Sequence, residues 1–189
     1  MKTKVIDILD SREQEILLQV ARQTIQAVTM HKRPDLTMEF PYPNFSKKFG
    51  AFVTLHKHDQ LRGCIGYVQA IKPLIETIIE MSEAAALRDP RFDPVESDEV
   101  EDLEIEISVL TPMQKISSIE EINPGEHGLY MEKGYHRGLL LPQVALENHW
   151  DVETFLQHTS IKAGLSQDAW KDINTDLYIF SAQIFHENS

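Results

Sequence analysis

The chain has 189 residues, of which 42% are hydrophobic and 25% are charged, and these proportions are typical of a globular protein. A formal net charge of −12 disfavours a nucleic-acid backbone or an anionic membrane as the main partner. A single cysteine, Cys64, excludes an internal disulfide and a zinc site built from several thiolates.

The N-terminal region predicts a helix after a charged start. Met1–Asp7 carries no apolar signal core, so we expect the protein to stay in the cytoplasm. Ser11–Gln14 has the spacing of a capping box, and apolar residues then recur at helical spacing from Ile16 to Val28. We expect this helix to end before Pro34, because proline cannot continue a helix.

The next segment predicts a β-hairpin, a helix and a strand. The prolines of Pro41–Asn44 predict a loop. Phe52–Tyr67 has the pattern of a hairpin with a polar turn near His58–Asp59. Pro73 suits the first position of an apolar helix, and the alternation in Leu103–Val109 predicts a strand.

The second half of the chain predicts a similar order of elements. Leu129–Leu141 has the pattern of a hairpin that turns near Gly134. Pro142 opens a short helix through Glu147, and Asp151 caps a second helix through Lys162. Alternation in Tyr178–Phe185 predicts a closing strand.

Each half therefore reads hairpin, helical region and strand, and each hairpin carries an Arg-Gly pair, Arg62-Gly63 or Arg137-Gly138. This echo predicts an α+β fold with an internal duplication, whose repeat halves are residues 50–112 and 128–186 of one domain spanning 1–189. The two halves would surround one mainly antiparallel sheet. The identities between them are few, so chance similarity is the alternative.

Leu61–Gly66 is the segment most indicative of a functional site. Two glycines weaken a strand, so they indicate a bulge or the close approach of a ligand or another backbone. Residues two apart in a strand share a face, which places Arg62 beside Cys64. A nearby guanidinium favours the thiolate, the reactive form of cysteine. The alternative is that Cys64 is a small core residue.

A reactive thiol also needs a base, and His56 and His58 lie on the same hairpin. A tight turn centred on His58 and Asp59 pairs Val53 with Cys64, which leaves neither histidine opposite the thiol. A register shift of one residue changes this pairing.

Other charged residues have both structural and functional interpretations. Arg88, Asp89 and Arg91 follow a helix, where they form a structural ion pair or present arginines to an anionic ligand. His127 lies in a predicted loop and is either a proton-transfer residue or simply solvated. The seven acidic residues between Glu96 and Glu106 predict a solvated face. No third ligand accompanies the two hairpin histidines, and no nucleotide fingerprint is present, so we predict neither a metal nor a cofactor.

Five segments together resemble the AMMECR family, named for a human chromosomal region linked to Alport syndrome, midface hypoplasia and elliptocytosis. They are Gly50–Leu55, Leu61–Gly66, Asp89–Phe92, Glu104–Leu110 and Gly138–Ala145. The resemblance covers nearly the whole chain and implies an α+β fold with two subdomains and an internal duplication. It supplies no reaction.

The same resemblance extends to protein A of the AmmeMemoRadiSam system. It implies partners that resemble Memo, a relative of metal-dependent dioxygenases, and a radical S-adenosylmethionine enzyme. Carried onto this chain, the family's site comprises Arg62, Gly63, Cys64 and Gly66, with Asp89 and Arg91 as neighbours.

Three hypotheses follow for the Leu61–Gly66 segment. In the first, the chain is an enzyme or enzyme subunit that acts on a small polar substrate through Cys64, with Arg62 tuning the thiol. In the second, it is a non-catalytic binding module that serves the Memo-like and radical S-adenosylmethionine proteins. In the third, the segment only builds the core.

Overall fold

The structure is a computed structural model that describes residues 8–34 and 41–187. These residues form two compact units: residues 8–34, 41–110 and 183–187, here called the N-terminal unit, and residues 111–182, the C-terminal unit. Met1–Asp7 lies outside the described residues, so the expectation drawn from it stays a prediction. Within the two described ranges, no helix is both long and apolar enough to cross a membrane.

The described residues form the helices and strands of an α+β protein. In chain order they are α1 (Ser11–Thr29), α2 (Pro43–Ser46), β1 (Gly50–Lys57), β2 (Gln60–Tyr67), α3 (Leu74–Leu87), β3 (Leu103–Leu110), β4 (Gln114–Lys115), β5 (Gly128–Lys133), β6 (His136–Leu140), α4 (Pro142–Glu147), α5 (Val152–Lys162), β7 (Asp176–Phe180) and β8 (Ala182–His186).

Two predicted boundaries are corrected near the N-terminus. The capping box of α1 is formed by Asp10 and Glu13 rather than by Ser11, because each of these carboxylates accepts the backbone N–H of the other residue. The predicted loop at Pro41–Asn44 is also partly wrong. Pro43 begins the single turn of α2, a position where its missing N–H costs nothing.

The N-terminal unit packs helices on one face of a four-stranded sheet whose order is β2-β1-β3-β8. Strand β1 runs antiparallel to both β2 and β3. Alternate residues of the central strands, such as Val53, Leu55 and Ile107, are fully buried in the core beneath α1 and α3. The intervening residues, such as Thr54 and His56, form the other face, here called the outer face, and are half-buried.

The β1–β2 hairpin contains a bulge that the sequence did not predict. Its turn is at His58 and Asp59, as predicted, and both have positive φ angles, 52° and 61°. The register shifts between Leu55 and the next residue of β1, so that Arg62 becomes the extra residue of β2. The predicted pairing of Val53 with Cys64 is therefore wrong by one residue, and Cys64 lies opposite Thr54 on the outer face.

The C-terminal unit contains a second four-stranded sheet, in the order β4-β7-β5-β6. Strand β5 is antiparallel to both β6 and β7, and α5 packs against β5 and β6. The expectation of one continuous sheet is wrong. The predicted strand Tyr178–Phe185 is instead two strands, β7 and β8. They are separated by Ser181 and belong to different sheets. Thr111 exchanges hydrogen bonds with Ser181 at this break.

The α+β class with antiparallel sheets is confirmed, whereas the internal duplication stays a prediction. The orders β2-β1-β3-β8 and β6-β5-β7-β4 match, since each begins with the second strand of a hairpin and continues to the first. In each hairpin the glycine of the Arg-Gly pair lies against a helix. A Cβ atom on Gly63 would lie 2.2 Å from the Ala85 carbonyl oxygen, and one on Gly138 would lie 2.6 Å from that of Thr159. Similar topology does not by itself establish a duplication.

We predict that Gly63→Ala and Gly138→Ala each destabilise the protein by about 1–3 kcal/mol or more, because helix backbone cannot move away from a new methyl group cheaply. Urea denaturation would measure the loss. Gly134→Asn is the matched control, since Gly134 has open space around it and a φ of 59°, which asparagine tolerates. A Gly63→Ala variant as stable as the wild type would contradict the close approach.

Candidate functional site

The Leu61–Gly66 segment lies on β2, at the edge of the N-terminal sheet. An edge strand leaves some backbone groups without a partner strand. At Cys64 two side chains replace that strand. The Cys64 N–H donates to Oδ2 of Asp89 at 2.8 Å, and the Cys64 carbonyl accepts from Nη2 of Arg91 at 3.2 Å. We call this pair of side chains the Asp89–Arg91 clamp.

The clamp is itself an ion pair whose carboxylate is buried. The Asp89 side chain is only 2% exposed, and its Oδ1 accepts from Nε of Arg91 at 2.9 Å while its Oδ2 accepts from Nη2 at 2.6 Å. The hydrogen bonds from Arg91, followed by that from the Cys64 N–H, hold the pKa of Asp89 well below its usual range despite its burial. Asp89 comes just after α3 and before Pro90, which prevents the helix from continuing.

The thiol of Cys64 has two polar neighbours. Oγ1 of Thr54, on the adjacent strand, donates to Sγ at 3.2 Å. Arg91 also interacts with the cysteine: the pKa of its guanidinium is raised, first by its hydrogen bond to Asp89 and further by Cys64. Cys64 as a whole is half-buried rather than part of the core. Arg91 is therefore the arginine that contacts Cys64, through the carbonyl oxygen of that residue.

Arg62 has a different set of partners. Its guanidinium donates to Glu99 at 2.9 and 3.3 Å, and to the carbonyl oxygens of Asp93 at 2.9 Å and Pro94 at 3.3 Å. The hydrogen bond from Arg62 lowers the pKa of Glu99 to about 2. Because Arg62 is the bulge residue, strand alternation does not place it beside Cys64. Its contacts instead fix the chain segment that follows the clamp.

The two glycines of the motif are accounted for by packing. Gly63 lies against α3, and a Cβ atom on Gly66 would lie 2.3 Å from the ring of Phe52 on the adjacent strand. Close approach was one of the two reasons that the sequence offered for these glycines. The contact at Gly63 allows α3 to lie near β2, so that Asp89, which follows the helix, reaches Cys64.

The outer face brings the thiol close to residues that the sequence analysis did not connect with it. The pairing of β1 with both its neighbours places Cys64, Thr54 and Glu106 in one row across the sheet. His56 follows Thr54 by two residues, so it shares this face. This row depends on the register set by the bulge at Arg62, and the sequence did not reveal that bulge. Among the described residues, no group of three or more His, Cys, Asp or Glu is arranged to hold a metal.

His127 belongs to the C-terminal unit, whereas the clamp belongs to the N-terminal unit. It lies in the loop before β5, where its Nδ1 accepts the backbone N–H of Asn123 at 3.2 Å. Its predicted role in binding remains a prediction.

Two grooves occur elsewhere in the described residues. One, of about 770 Å³, lies between α1 and the ends of β3 and β8, and includes Arg22. The other, of about 410 Å³, lies in the C-terminal unit and includes Trp170. Neither includes Cys64, so the clamp and the thiol are not part of these grooves.

These features define an α+β protein with two antiparallel sheets, in which an aspartate–arginine pair holds a cysteine on an edge strand. The sequence model of the AMMECR1 family matches residues 18–185, and the chain belongs to this family.

The relatives support the same assignment. A protein of Methanothermobacter thermautotrophicus is 44% identical, with coverage of 95% of this chain and 97% of the relative. Protein MJ0810 of Methanocaldococcus jannaschii is 46% identical over 77% of each chain. The crystal structure of the uncharacterized protein PH0010 from Pyrococcus horikoshii is 39% identical in sequence, with a TM-score of 0.89 and coverage of 96% of this chain and 94% of that one.

We predict that Asp89→Asn lowers the free energy of unfolding by about 1.5–3 kcal/mol at pH 7, because a hydrogen-bonded charge is lost from a buried position. The pKa of Asp89 is lower in the folded protein than the unfolded value of about 3.9, so its contribution is complete above that pH. The difference between wild type and variant should therefore shrink as the pH falls below about 4.

Urea denaturation between pH 7 and pH 3 would measure this difference. Glu83→Gln is the matched control, because Glu83 forms an exposed ion pair with Arg88 at 3.1 Å, and its loss should change stability little. A difference for Asp89→Asn that is independent of pH would contradict the assigned ion pair.

Proposed function

We propose that this chain is an enzyme, or a subunit of an enzyme, that acts on a small polar substrate through the thiol of Cys64. One observation carries the proposal. The clamp binds the main chain of Cys64 through both its N–H and its carbonyl, while the residue stays half-buried on the outer face. A cysteine that served only the core would be expected on the inner face, where neighbours such as Val53 and Leu55 are fully buried.

The arrangement supplies what nucleophilic catalysis by a thiol requires. A nucleophile must be held in a fixed position and remain accessible, and the clamp favours the first condition. We assign the role of the cation at the site to Arg91 rather than to Arg62, because Arg91 contacts Cys64 whereas Arg62 binds Glu99. His56 and Glu106 share the outer face with the thiol by strand register, and they are the side chains proposed as proton acceptors.

A docking role is the second candidate, because Leu61 on the same edge strand is 40% exposed. In this function the Leu61–Gly66 surface would bind the Memo-like or radical S-adenosylmethionine protein. The clamp disfavours docking by strand addition across Cys64, because Asp89 and Arg91 already occupy the backbone groups that a partner strand would use.

The proposal predicts that Cys64 reacts with iodoacetamide in the folded protein at pH 7, at least as fast as in the chain unfolded in urea. Intact-mass spectrometry would measure the rate, and with one cysteine in the chain every adduct reports on Cys64. Arg91→Gln should slow the reaction several-fold, because it removes the cation that contacts Cys64. Arg62→Gln should slow it less.

A thiol that stays inert until the protein unfolds would contradict the catalytic proposal. In that case the docking function predicts that binding of a Memo-like partner survives Cys64→Ser but fails in Arg62→Gln. Thermal melting of each variant would verify that the fold is retained.

A further inference from the structure

We infer that the substrate of the Cys64 site is a small carboxylate whose negative charge is bound by Arg91. This inference rests on the proposed function and names the substrate class for it. It arises from an imbalance at Arg91: Nε and Nη2 are occupied by the clamp and the guanidinium lies over the Phe92 ring, whereas Nη1 makes no hydrogen bond within the described residues.

The hydrogen bonds of Arg91 show this imbalance. A guanidinium carries five N–H donors on three nitrogen atoms. Nε donates to Asp89, and Nη2 donates to Asp89 and to the Cys64 carbonyl. Nη1 donates none of the hydrogen bonds found among the described residues, and the side chain is 53% exposed. The two N–H donors of Nη1 are therefore available to a ligand or to solvent.

The ion pair with Asp89 also preorganises the Arg91 guanidinium for binding an anion. A free arginine loses rotamer freedom when it binds an anion, which weakens the interaction. Here Asp89 already fixes the guanidinium through Nε and Nη2. The two free N–H groups both belong to Nη1, and either one can donate a charge-assisted hydrogen bond to one oxygen of a carboxylate.

The negative net charge of the chain disfavours the approach of anions, so recognition of a carboxylate depends on the contacts at Arg91. The net charge is −12, so long-range attraction would bring cations rather than anions to the protein. Binding of a carboxylate must then come from local hydrogen bonds. Because Arg91 contacts the Cys64 carbonyl, an anion bound to Arg91 would lie beside the residue that carries the thiol.

Two alkylating reagents of nearly equal size test this inference. Iodoacetate carries a carboxylate, whereas iodoacetamide carries a neutral amide in its place. With either reagent the Cys64 sulfur forms a bond to the CH₂ carbon, iodide leaves with the electron pair of the C–I bond, and the thiol proton goes to the buffer. The ratio of the two rates therefore reports recognition of the carboxylate, separately from the reactivity of the thiol.

We expect the ratio of the iodoacetate rate to the iodoacetamide rate to be about tenfold higher in the folded protein than in the urea-unfolded chain, the factor that about 1.4 kcal/mol of selective binding produces. The ratio should fall to the unfolded value in Arg91→Gln. Arg88→Gln is the matched control and should keep the wild-type ratio, since Arg88 is equally exposed but pairs with Glu83. All rates are compared at one ionic strength.

Unreactive acetate provides a second measurement in the wild-type protein. At constant ionic strength, acetate should slow alkylation by iodoacetate, whereas the same concentration of chloride should not. Rapid reaction with iodoacetamide but an unchanged ratio and no competition by acetate would overturn the carboxylate inference and leave the proposed function standing. A folded thiol that reacts with neither reagent would overturn both.

Discussion

The hydrogen bond from the Cys64 N–H to the buried carboxylate of Asp89 is the interaction on which the site depends. It satisfies a backbone donor at the open edge of β2, where no strand is available. It also joins the end of α3 to that strand, and it orients the carboxylate that fixes Arg91. Asp89 therefore binds both the main chain of Cys64 and the guanidinium of Arg91.

The neighbouring residues of the motif make this interaction possible in different ways. Gly63 lets the backbone of α3 approach β2, which brings Asp89 within reach of Cys64. Arg62 anchors the segment that leaves the clamp through Glu99 and two backbone carbonyls. Consecutive residues thus perform separate tasks: helix packing, loop anchoring and presentation of the thiol. This division explains why the segment looks unusual for a strand, since each departure from strand composition has its own contact.

The sequence predicted the local elements better than the contacts between them. Pro142 and Asp151 located α4 and α5 because proline and capping residues act within one turn. The break at Ser181 escaped prediction, since apolar alternation continues through a change of sheet. The bulge at Arg62 escaped for a similar reason, because alternation alone assumes a regular ladder. Asp89 and Arg91 were recognised as a possible ion pair, but their target at Cys64 is set by tertiary packing that no local pattern encodes.

Amide hydrogen exchange at Cys64, followed by nuclear magnetic resonance, tests the clamp most directly. In the wild-type protein the Cys64 amide should be protected although it lies on an edge strand, and Asp89→Ala should remove most of that protection. The Ile65 amide, whose residue pairs with Val53 in the β1–β2 ladder, is the internal reference and should stay protected in both proteins. A Cys64 amide that exchanges freely in the wild type, or whose protection survives Asp89→Ala, would contradict the account.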